Sequence, residues 1–180
     1  MIRGRVWKYG DNVNTDVIMP GKYLTIREPA KLAPFVMEGI DPEFTRKAKP
    51  GDLIIAGRNF GCGSSRETAP AGLRAFGIGA IIAVSFGRIF LRNSVNIGLP
   101  VLECTEAAGA IPEGHEVTVD LATGSIVDET TGHRYRATPF PPFLQELIAL
   151  GGLLPYARRK LGLPETHEAG DSEGRRVRPL

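Results

Sequence analysis

Two neighbouring hydroxyls, a guanidinium and a carboxylate follow one another in Gly61-Cys62-Gly63-Ser64-Ser65-Arg66-Glu67. Glycines let a backbone approach a ligand closely and turn its N–H groups toward it. Arg66 adds a fork-shaped donor that suits a carboxylate. If a helix follows, its free amides and positive dipole end favour an anion as well. Together these residues describe an anion-binding loop. Ser64 and Glu67 also have the spacing of a capping box, with Ser64 as N-cap and Glu67 at the third helical position. Pro70 speaks against that arrangement, because it would then lie beyond the first turn and remove a helical hydrogen bond. From the residues alone the two readings stand level. No Gly-Lys-Ser/Thr follows the glycines, so this is not a phosphate-cradling P-loop. Ser64 lacks the flanks of a nucleophile elbow, and His115, His133 and His167 all lie in the C-terminal part, which disfavours a serine hydrolase.

The elements around the loop read as α/β. The run Asp52-Leu53-Ile54-Ile55-Ala56 is a buried strand ahead of it, and a helix over 69–76 follows, stopped by Gly77. A second apolar strand (80–84), a helix (86–95) and a third strand (100–103) complete a strand–helix alternation that argues for a parallel sheet covered by helices. In such sheets ligands bind at the carboxyl ends of the strands, where the loop sits. Upstream, residues 2–9 form a strand closed by Gly10-Asp11-Asn12. Asn14-Thr15-Asp16 leads into the apolar patch Val17-Ile18-Met19. Helical spacing of Leu32, Phe35 and Val36 predicts a helix over 29–37, and Asp41 is placed to cap a short helix running through Phe44. Downstream, alternation around Val117, Val119 and Leu121, then 126–128 and 133–136, predicts a meander of short strands. Helices over 143–150 and 153–161 end the folded part. The chain therefore reads as one domain over 1–163, with a tail over 164–180 too poor in apolar residues to order.

Of 180 residues, 42% are hydrophobic and 23% charged, enough for a real core in a soluble domain. A net charge of +2 is too small to imply nucleic acid as a partner, and no apolar run approaches a membrane span. The N-terminus lacks a signal-peptide core. Cys62 and Cys104 are too few to build a zinc or iron–sulfur cage, and such a low count points to a reducing, cytoplasmic setting. Both cysteines are expected as small buried residues.

Three motifs in order, Asn14-Thr15-Asp16, the Gly-x-Gly-Ser-Ser-Arg-Glu loop, and Ser85-Phe86-Gly87-Arg88-Ile89-Phe90-Leu91-Arg92-Asn93, resemble the small subunits of 3-isopropylmalate dehydratase and homoaconitase, and with them the swivelling C-terminal domain of aconitase. The resemblance spans about residues 6–161. It implies a swivelling β/β/α domain with a parallel strand–helix core and a C-terminal segment of short strands and helices. It implies a larger partner subunit carrying a [4Fe–4S] cluster, with no cofactor or metal bound by this chain; self-association of the isolated chain stays open beside it. The reaction implied is a hydro-lyase isomerisation of a hydroxy-dicarboxylic acid. Carried over by position, Ser64 is the general base, Ser65 and Arg66 bind substrate carboxylate, and Asp16 is an active-site acid beside the cluster. Arg27 falls close to a further carboxylate-binding arginine, a one-residue gap away.

The segment Gly21-Lys22-Tyr23-Leu24-Thr25-Ile26-Arg27 matches the family's loop that sorts substrates by side group. Neutral Thr25 and Ile26 suit an isopropyl group, hence 3-isopropylmalate and leucine biosynthesis. Arg27 keeps a third carboxylate open, as in homocitrate and lysine biosynthesis. A smaller methyl-malate substrate and a non-catalytic anion-binding domain are the remaining alternatives, the latter disfavoured by the retention of Ser64, Ser65 and Arg66 together. Arg88, Arg92 and Asn93 are assigned to ion pairs and hydrogen bonds within the fold or at the subunit interface.

Overall fold

The computed structural model of the chain describes residues 1–164; the expected tail lies, from residue 165 onward, outside the described residues. The chain opens with β1 (Ile2–Lys8), followed by a single helical turn, α1 (Thr15–Ile18), capped by Asn14. Where the spacing predicts one helix over 29–37, the structure has a four-residue turn, α2 (Pro29–Leu32), passing into a 3-10 turn at Ala33–Phe35. Pro34 lies in that turn and has no N–H to continue an α-helix. Leu32 and Val36 are nevertheless buried as their spacing requires. Asp41 does not close a helix through Phe44. Its carboxylate accepts from the Glu43 amide, and α3 (Phe44–Lys47) begins where that helix was expected to end.

β2 (Leu53–Ala56), α4 (Thr68–Phe76), β3 (Ala80–Ala83), α5 (Arg88–Asn96) and β4 (Val101–Glu103) follow the expected alternation. Gly77 ends α4 in the left-handed region, at φ 97°. The sequence analysis assigned no element to the next segment, which forms α6 (Thr105–Ala110). Its small residues carry a weak periodic signal, yet Ala107 and Ala108 are buried and let the helix approach β3 closely. The meander comprises β5 (Glu116–Asp120), β6 (Ser125–Asp128) and β7 (Arg134–Arg136), and α7 (Pro142–Ala149) and α8 (Leu153–Lys160) close the described chain. Among the described residues no helix is long and apolar enough to cross a membrane.

All seven strands form one sheet in the order β4-β3-β2-β1-β5-β6-β7. The first four are parallel, with Val6 opposite Leu53, Leu53 opposite Ala80 and Ile81 opposite Val101. β1 then pairs antiparallel with β5, Ile2 opposite Val119, and the meander continues antiparallel. Because side chains alternate across a strand, the sheet has two cores. Ile54, Ala56, Ile81 and Ala83 face Leu73, Phe60, Phe90 and Phe44. Leu53, Ile55, Ala80 and Ile82 face Ala107, Ile111, Val117 and Ile126. β2 and β3 are buried on both faces, which is why they read as unbroken apolar runs. The parallel arrangement delivers the connections after β1, β2 and β3 to the same edge of the sheet.

Candidate functional site

Those three connections are bound to one another by their backbones. The Gly61 amide donates to the Val13 carbonyl (2.7 Å) and the Thr15 amide to the Cys62 carbonyl (2.9 Å). On the other side the Phe60 amide donates to the Ser85 carbonyl (3.0 Å) and the Gly87 amide to the Phe60 carbonyl (2.8 Å). Residues 60–62 are thus the middle member of a short three-stranded extension, flanked by 13–15 and 85–87. Gly61 has φ 74°, and a side chain there would overlap the ring of Phe90. A Cβ on Gly87 would stand 2.6 Å from the Gly61 carbonyl oxygen. The glycines of the loop are required by close packing at its base as much as by ligand approach.

Beyond this base the candidate residues emerge together. The side chain of Asn14 accepts from the amides of Asp16 (2.8 Å) and Val17 (3.0 Å), an N-cap that fixes where Asp16 leaves the chain. Thr15, buried beneath, donates its hydroxyl to the Ser64 carbonyl at 3.0 Å and ties the two loops. Asp16 Oδ1 lies 2.6 Å from Arg66 Nη2, with the Arg66 side chain 19% exposed and that of Asp16 55%. Arg66 Nη1 also reaches the Met19 carbonyl at 3.4 Å. Ser64 and Ser65 are exposed, and among the described residues neither hydroxyl has a hydrogen-bond partner. The capping box is not formed: α4 starts at Thr68 with Glu67 as its N-cap and no side-chain cap bond. Pro70 then occupies the first turn, where its missing N–H costs nothing. The helix dipole end consequently lies past Arg66 rather than at Ser64, a correction to the expected geometry.

Thr25, Ile26 and Arg27 lie beside the serine loop rather than within it. They line an adjoining cavity of about 800 Å³. Glu67, Thr68, Asn93 and Asn96 supply the rest of its polar lining, and the apolar wall includes Leu24, Leu153 and Leu154. The Thr68 hydroxyl is buried without a partner, and Asn93 is only 7% exposed. Gly21, at the start of the same segment, packs 3.5 Å from Arg66 Nη1 when given a Cβ, so cavity and loop are neighbours. Thr15, Thr68 and the α8 leucines were not singled out by the sequence. Asn14 and Thr15 did sit in the quoted motif, and an asparagine before a short apolar run is a readable N-cap. Nothing in the sequence pairs Leu153 with Thr25.

Cys104 is buried as expected, whereas Cys62 is only half-buried at the foot of the loop. Arg88 and Arg92 are exposed, and among the described residues neither makes an ion pair. Among the described residues no group of three or more His, Cys, Asp or Glu side chains could hold a metal ion.

The model of the aconitase C-terminal domain matches residues 13–107, the segment that carries all of this edge. The isopropylmalate/citramalate isomerase small subunit of Methanocaldococcus jannaschii is 51% identical over 161 residues, covering 89% of this chain and 96% of the relative. The 3-isopropylmalate dehydratase small subunit of Thermodesulfovibrio yellowstonii is 51% identical over 164 residues, covering 91% and 98%. A solved 3-isopropylmalate dehydratase structure from Methanocaldococcus jannaschii superposes with TM-score 0.83 at 42% identity, over 89% of this chain and 95% of that one.

Proposed function

The chain belongs to the aconitase C-terminal domain family, and on that premise we propose that it acts as the small subunit of a 3-isopropylmalate dehydratase, isomerising 2- and 3-isopropylmalate by loss and return of water. The observation that carries the reading is the open edge where Ser64, Ser65 and Arg66 stand beside Asp16, on loops fixed from beneath. In this reading Ser64 removes the proton from the carbon next to a carboxylate, while Ser65 and Arg66 hold that carboxylate. Lewis-acid chemistry at the departing hydroxyl is supplied by the [4Fe–4S] cluster of the large subunit. A serine hydroxyl is far too weak an acid to serve as base in water. Both hydroxyls are exposed here, so the large subunit must cover them and exclude water before the guanidinium can stabilise charge in the cleft.

The cavity supports an alkyl substituent. Leu24, Ile26, Leu153 and Leu154 offer an apolar wall, and Glu67 would repel a third carboxylate that Arg27 alone would have to hold. The test is anaerobic reconstitution with the large subunit, comparing kcat/KM for 3-isopropylmalate, citramalate and homocitrate. Isopropylmalate is expected to be turned over best, and a higher value for homocitrate would overturn the substrate assignment. Citramalate is included because one relative at 51% identity is named for both acids. Ser64→Ala should lower kcat by about 10²–10⁴ while the subunits still associate.

A further inference from the structure

α5 starts with Arg88 at its first helical position and carries Arg92 one turn later on the same exposed face. Its opposite face is committed to the core through Phe90 and Ser94. Two cations four residues apart repel, and a cation in the first helical turn opposes the helix dipole. Neither arginine is compensated by an acid among the described residues. Glu103, at the end of β4, is turned instead to accept from the Phe86 amide at 3.3 Å. Ile89 lies beside Arg88 and is 40% exposed, an apolar spot with a charged border. Gly87 is bonded to Phe60, and adjacent extended chains lie about 5 Å apart, so Arg88 rises from the same edge as Ser64, on the side away from Asp16. Among the described residues nothing offsets these features, and they become favourable against an acidic surface.

We propose that Arg88 and Arg92, with Ile89 at their flank, form the cationic contact by which this chain docks on an acidic patch of the large subunit. The inference rests on the small-subunit reading above. Charged contacts of this kind set association rate and salt dependence, while the adjoining apolar side chain adds affinity.

The experiment titrates the full chain into its large subunit at several salt concentrations. The double variant Arg88→Glu, Arg92→Glu should weaken association about tenfold or more at low salt and flatten its salt dependence, with turnover at saturating large subunit unchanged. The isolated double variant should melt no earlier than the wild type, because one like-charge pair replaces another while an acid in the first turn suits the helix dipole. Arg92→Gln, a mild change on an exposed helical face, should weaken association by about threefold and guards against a folding defect in the double variant. Association equal to wild type would overturn the proposal. So would an earlier melt of Arg92→Gln, which would mean a partner within the chain, or a raised KM with unchanged association, which would place these arginines on substrate. Failure of the wild-type chain to associate at any salt would instead sink the small-subunit reading itself.

Discussion

Asp16 reaches Arg66 across two loops that only the sheet brings together, and this contact tests what an acid does at an anion site. If its purpose were stability it would be a poor device, since an ion pair with one partner more than half exposed contributes little. We assign it instead to aiming the guanidinium, whose other contact is a long one to the Met19 carbonyl. Asp16→Asn should therefore leave the thermal midpoint of the chain nearly unchanged and lower kcat of the reconstituted enzyme by about tenfold or more. Unchanged kcat would reduce Asp16 to a surface ion pair. From the residues alone an anion-binding loop and a capping box stood level at Ser64–Glu67, and it is the start of α4 at Thr68 that removes the capping box. Thr15 and Thr68 were not legible, because a threonine becomes a brace or an orphan only through what the fold lays against it.

At the scale of elements, the strand–helix alternation was readable because β2 and β3 are buried on both sides and so leave continuous apolar runs. α6 escaped because its alanines are small, and the start of α4 was set by Pro70 rather than by Ser64. The loop between β2 and α4 is held by packing at Gly61, where a positive φ and the Phe90 ring both exclude a side chain. Gly61→Ala should cost about 2 kcal/mol or more and abolish turnover. Gly109→Ala, inside α6 with nothing within 4 Å of the added methyl, should be neutral or stabilise by up to about 1 kcal/mol. Chemical denaturation of both variants checks the contrast. The meander has its own fastening in Asp128, 2% exposed, which accepts from the Thr131 hydroxyl (2.8 Å) and the Thr130 amide (3.0 Å) and faces His115 Nδ1 at 2.9 Å. Burial alone would raise its pKa, but these hydrogen bonds outweigh burial and hold the carboxyl below its ordinary value. A depressed folded pKa contributes stability above the unfolded value, and that contribution is lost as pH falls through the folded one. Stability should accordingly fall on acidification below about pH 4, and Asp128→Asn should be less stable at neutral pH with a shallower acid limb.

The whole molecule depends on β1, which pairs parallel with β2 through Val6–Lys8 and antiparallel with β5 through Ile2–Arg5. Its neighbouring residues point to different cores, Val6 into the one beneath the meander and Trp7 into the one beneath the helices. Trp7 is further tied to the start of β2, its indole N–H donating to Asp52 at 2.9 Å, and Asp52 also accepts from the Lys49 amide at 2.9 Å. The sequence showed a parallel half and a meander but not that one strand serves both, since no local pattern records which strands become neighbours. If β1 couples the halves, losing either core strips the other of a strand. Residues 1–163 then behave as a single cooperative domain rather than as two. Trp7 is the only tryptophan of the chain, so its fluorescence reports β1 alone, while far-UV circular dichroism reports all elements. The two denaturation curves should coincide. Ile54→Ala in one core and Ile55→Ala in the other, both fully buried, should each shift that one transition by about 2–5 kcal/mol. Separate transitions, with Ile54→Ala moving only one of them and Ile55→Ala only the other, would show instead that the parallel and antiparallel halves fold independently and merely share an edge.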